Sequence, residues 1–246
     1  MMRSSNPTLP DTLYSGVRDY GAETMTVQGV IFKTMILLML MLLTAGYTWI
    51  KFIETQNAAS VAPWMMFGAI GGLGLAIATA FKKEWSPVTA PLYALAEGLF
   101  IGGISAIFEQ TYSGIVFQAA CLTFGTLFAM LLVYQSGLIR VNDTFKMVVA
   151  AATGGIFLVY LVSFALSFFS ISVPLIYGSG PFGILFSLFV VGVAALNLVM
   201  DFDFIKKGSS MGAPKYMEWY GSFALMVTLV WLYVEFLRLL SKLKER

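Results

Sequence analysis

The chain has 246 residues, of which 59% are hydrophobic and only 11% charged, with a net charge of +2 and no histidine; its mean hydropathy is +0.83. A soluble domain carries about 25% charged residues, so this chain lacks the polar surface that a water-soluble globule needs. The near-even charge leaves no nucleic-acid footprint, and without histidine any proton sensing falls to carboxylates.

In chain order, residues 1–33 form a polar, turn-rich arm marked by Asn6-Pro7, Pro10-Asp11 and Gly21. The first apolar run comes too late for a cleavable signal and reads as a retained span. Seven apolar segments follow, at approximately 34–50, 62–81, 88–108, 115–134, 147–169, 182–204 and 219–240, and residues 241–246 form a basic tail. About 20 apolar residues cross a hydrocarbon core roughly 30 Å thick. Runs such as MILLMLMLL and FSLFVVGVAAL do not alternate as barrel strands do, which leaves helices as the spanning structure. The expected fold is an all-α membrane protein, a single seven-helix bundle.

Lysines and arginines gather on one side: Arg3, Arg18 and Lys33 in the arm, Lys82 and Lys83, Arg140 and Lys146, then Lys206, Lys207 and Lys215. The opposite loops hold only Lys51, so the positive-inside rule puts the N-terminus in the cytosol. Seven spans then place the tail outside despite Arg238, Lys242, Lys244 and Arg246, unless a late segment fails to cross. Trp64, Trp85, Trp219, Tyr134 and Tyr220 fall near span ends, as interfacial anchors do. The glycines of GAIGGLGLA, EGLFIGGIS and ATGG read as small residues that let helices approach closely. Cys121, alone in the fourth span, reads as a small buried hydrophobe.

Ionisable groups at bilayer depth are functional candidates by default. Glu97 falls near the middle of the third span, beside Gly98 and Gly102. Asp201 follows Asn197 by one turn and continues a small, polar stripe through Ala194 and Ser187, which suits a face turned into the bundle. With the span ending at residue 204, Asp201 lies about 5 Å from its end at 1.5 Å per residue. Asp203 precedes Lys206 and Lys207 by three and four residues, the spacing of a local ion pair at a solvated helix end. Gly221, Thr228 and Glu235 recur every seven residues on one face of the last span, and Glu235 lies three residues before Arg238, a local pair. Glu84 and Glu109 lie at loop edges and read as hydrated. No nucleophilic triad, metal-ligand cluster or nucleotide loop is apparent. Asp201 and Asp203 point about 160° apart on a helix, so they do not form an intramembrane protease dyad, and no enzyme activity is expected.

The sixth span ending in DFDFI, the Glu97-Gly98 pair and the last span ending in LYVEFLRLL resemble the transmembrane Bax inhibitor motif family. RSSNPTL, ETMTVQG and GAPKYMEWY are similar to its bacterial, YccA-like branch. The resemblance covers nearly the whole chain. It implies a seven-helix bundle with the C-terminal helix central, in a bacterial inner membrane, and a slow, pH-sensitive calcium leak. It also implies that an aspartate on the sixth helix interacts with one on the seventh. The first falls on Asp201; Thr228 stands in place of the second, so the paired switch is missing or rebuilt from Glu97 or Asp203. Calcium takes oxygen ligands, so carboxylates are suited to a transient calcium path without a resident cofactor. Three functions follow as expectations: a cation leak through interior acids, modulation of a membrane-bound ATP-dependent protease through the N-terminal arm, or proton-coupled transport of a small solute.

Overall fold

The computed structural model describes residues 23–169, 176 and 178–245. It contains seven long helices: α1 (Val27–Thr55), α2 (Ala58–Phe81), α3 (Ser86–Thr111), α4 (Ile115–Gln135), α5 (Asp143–Ser167), α6 (Pro181–Ser210) and α7 (Met217–Lys244). All seven are long and apolar enough to cross a membrane.

The helix ends follow from local chemistry. Thr26 accepts a hydrogen bond from the Gly29 N–H at 3.0 Å and starts α1, so residues 27–33 belong to the helix rather than to the polar arm. Asn57 and Asn142 cap α2 and α5 in the same way, satisfying N–H groups left without a partner in the first turn. Pro87 lies in the first turn of α3 and Pro181 opens α6, where a missing N–H costs nothing. Glu109 is not simply hydrated: its carboxylate accepts from the Gly114 N–H at 2.5 Å and the Val116 N–H at 3.1 Å, at the start of α4. At the other end of the chain, α7 runs on through residues 241–244, so the tail is the last turn of the helix.

The C-terminal helix α7 is central. It packs against α1, α3, α4 and α6, and its Leu225, Leu229, Leu232 and Leu237 form a core with Ile115, Ala119 and Leu198. α2 lies behind α3 and α1, and α5 lies on α6. Gly98 and Gly102 bring α3 against the backbone of α1: a Cβ at either position would collide with the carbonyl of Met41 or of Ala45. Gly68 does the same for α2 on α3. The glycines of the fifth segment are different. An added Cβ at Gly154 or Gly155 meets nothing within 4 Å, so among the described residues no helix approaches there. Cys121 is exposed on the outer face of α4 instead of buried.

The entry into α1 is locked onto the entry into α7. Met25 N–H donates to the Ala213 carbonyl at 2.7 Å, and Thr24 bridges Pro214. Glu218, wholly buried, accepts from both the N–H and the hydroxyl of Thr26 at 2.9 Å. It also pairs with Lys33 and with Lys215 at 3.2 Å. The segments ETMTVQG and GAPKYMEWY, distant in sequence, therefore meet at one carboxylate.

Candidate functional site

The polar stripes on α6 and α7 face each other. The Thr228 hydroxyl donates to Asp201 Oδ2 at 2.7 Å. Two heptads away on both helices, Lys242 Nζ donates to Ser187 Oγ at 2.8 Å and to the Gly183 carbonyl at 3.0 Å. Two contacts with one spacing define an antiparallel heptad seam.

Each candidate acid has its own surroundings along or beside this seam. Asp201 is half-buried, and α6 continues nine residues past it to Ser210. At 1.5 Å per residue it therefore lies about 14 Å from the helix end rather than 5 Å. Glu235 is 1% exposed; its Oε1 accepts from Arg238 at 2.8 Å, the local pair its spacing suggested, and from the Tyr160 hydroxyl at 2.8 Å. Its Oε2 is buried and has no hydrogen-bond partner among the described residues. Lys242 is buried as well, 3% exposed, and a carbonyl and a hydroxyl satisfy its ammonium group as hydrogen-bond acceptors.

The other candidates are placed elsewhere. Asp203 is itself buried, although Lys206 on the same stretch of helix is exposed. Asp203 pairs with Lys207 at 2.6 Å, lies 4.0 Å from Lys146 of α5 and receives a long contact of 3.5 Å from the Tyr134 hydroxyl. Lys206, its other expected partner, lies over the Tyr134 ring at 5.5 Å. Asn197 turns to α5, where it donates to Thr153 at 2.8 Å, so it ties α5 to α6 and does not extend the seam. Glu97, on α3, turns toward α2: a Cβ at Gly72 would be 2.7 Å from its Oε2. Neither Glu97 nor Asp203 rebuilds a second acid beside Asp201; the Thr228 hydroxyl occupies that place.

Sequence reasoning missed Lys242, although it stands seven residues after Glu235 and so shares its face. It also missed Glu218, whose only sequence signal was the segment containing it. Among the described residues no three carboxylate or thiol side chains gather closely enough to hold a metal ion.

A bundle of seven membrane-length helices, with carboxylates and a lysine lodged along an interior helix seam, defines a polytopic membrane protein with ionisable groups inside its packing. The family model described as Bax inhibitor 1 like matches residues 6–245, and the chain belongs to that family. No match was found among curated proteins or among solved structures.

Proposed function

We propose that the protein is a slow, pH-sensitive cation leak, with calcium its foremost cargo and Asp201 its principal interior acid. The supporting observation is the contact of Asp201 with Thr228 across the α6–α7 seam. An ionised carboxylate there supplies the oxygen ligand and negative charge that a passing calcium ion needs; protonation removes the charge. Thr228 adds a hydroxyl oxygen and orients Oδ2, but it cannot titrate. The pH response therefore rests on one acid at this point of the seam. Lys242 and Arg238 at the far end of the seam oppose a cation, which fits a leak that is slow.

The protein is proposed to lie in a bacterial inner membrane with its N-terminus in the cytosol. The basic end of α7 does not argue strongly against that orientation, because Arg238, Lys242 and Lys244 are engaged by Glu235, by Gly183 and Ser187, and by the Ser113 carbonyl. Alkaline phosphatase fused to the C-terminus is expected to be active, since it matures outside the cytosol. An inactive phosphatase fusion paired with a fluorescent cytosolic reporter would reverse the orientation.

The leak is tested with purified protein in liposomes loaded with a calcium indicator, read at pH 6, 7 and 8. Influx is expected to vary with pH, and Asp201→Asn to reduce it and flatten that variation. Glu97→Gln is expected to leave the pH profile in place, because Glu97 faces α2. No influx above empty liposomes removes the leak altogether, and an Asp201→Asn profile identical to the natural protein removes Asp201 from it.

A further inference from the structure

A cavity of about 510 Å³ opens between α1 and α4. Its walls are Met39, Leu42 and Gly46 on one side and Ala120 and Phe124 on the other. Its floor is the central helix α7, at Leu229, Val230 and Tyr233. The volume lies in the range of ligand pockets, roughly 300–1,000 Å³.

The lining decides what enters. The hydroxyls that reach it are already engaged: Ser105 with Tyr233 at 2.7 Å, and Thr123 with the Ala119 carbonyl at 2.8 Å. Water inside would find almost no partner, and an apolar cavity does not hold it. The rim is apolar and outward-facing, with Met39, Leu42 and Phe124 all exposed. It belongs to two membrane-length helices, so the medium at its mouth is hydrocarbon. Methionines 35, 39 and 41 line the α1 wall, and their unbranched, polarisable side chains adapt to a flexible guest. A Cβ at Gly46 meets nothing within 4 Å, so this wall is open space and not a helix contact.

We infer that this groove is a binding site for one acyl chain of a membrane lipid, seated between α1 and α4 on the central helix. The chain lies against Leu229 and Val230, the residues directly after Thr228. A lipid in the groove thus touches the same turn of α7 that holds Asp201. The site stands on its own geometry and does not depend on ion conduction.

The test uses the full chain in vesicles of phosphatidylethanolamine and phosphatidylglycerol doped with a phospholipid carrying a diazirine within its acyl chain. After photolysis, labelled residues are mapped by mass spectrometry. Label is expected on Leu229, Val230 or Tyr233 as well as on Phe117, an exposed residue of α4 that ordinary surrounding lipid reaches. Gly46→Phe fills the groove from α1 without a backbone clash, and Ala120→Phe fills it from α4. Each is expected to bring the α7 label to background while Phe117 stays labelled, with melting like that of the natural protein. Absence of α7 label in the natural protein overturns the site. So does α7 label that persists in both folded variants.

Discussion

Glu218→Ala is expected to destabilise the protein by roughly 3 kcal/mol, the scale of breaking a buried ion pair from one side. The carboxylate is wholly buried and gathers Thr26, Lys33 and Lys215 around it. Alanine would leave the Lys33 ammonium partly buried without its counter-charge, and the Thr26 N–H without its acceptor. It would also release the contact that holds the start of α1 against the start of α7. Lys215, outside the helices, is held above its ordinary pKa chiefly by its hydrogen bond to Glu218. That contribution is present through neutral pH and is lost as pH rises through the lysine's own titration. Melting of the detergent-solubilised protein, followed by tryptophan fluorescence, checks the substitution. A melting temperature equal to that of the natural protein would show that the latch contributes nothing. Gly29→Ala approaches the same carboxylate from α1, since its new Cβ collides with the Glu218 side chain, and is expected to destabilise in the same direction.

The second large effect is expected at the α1–α3 contact. Gly102→Val places a branched side chain on the Ala45 carbonyl and the Thr48 hydroxyl. A backbone atom cannot rotate away, so the helices must separate, at a cost of about 3 kcal/mol, the upper end of ordinary overpacking. Gly98→Val meets the Met41 carbonyl and is expected to behave alike. Gly154→Ala and Gly155→Ala are the contrast. Open space surrounds both positions, and the better helix propensity of alanine should leave stability unchanged or raise it by up to about 1 kcal/mol. The same melting series reads all four. If Gly102→Val melts with the natural protein, or Gly154→Ala falls as far as Gly102→Val, close helix approach is not what separates these glycines.

The contrast between EGLFIGGIS and ATGG shows what local pattern leaves open. Both segments are glycine-bearing runs in apolar helices, and although the first also carries Glu97, neither run states which of its glycines meets a neighbouring backbone. Only the arrival of α1 at Gly98 and Gly102 makes those positions intolerant of a side chain. Cys121 makes the same point: an apolar span has no polar face to mark its outer side, so its exposure was not legible.

What the sequence determined by itself was what depends on chain-local physics. Apolar length set the seven helices, and Thr26, Asn57 and Asn142 set helix starts through their own side chains. The turn of 100° per residue separated Asp201 from Asp203, which indeed face α7 on one side and α4 and α5 on the other. The same periodicity aligned Thr228 with Glu235, and Ser187 with Asp201. Periodicity names a face but not its partner. That Thr228 would meet Asp201, that Lys242 would close the far end of the same seam, and that Glu218 would join two segments nearly two hundred residues apart were decided by the packing of α7 among its neighbours. Long-range pairing is fixed by which helices fit together in three dimensions, and no window of local sequence carries that information.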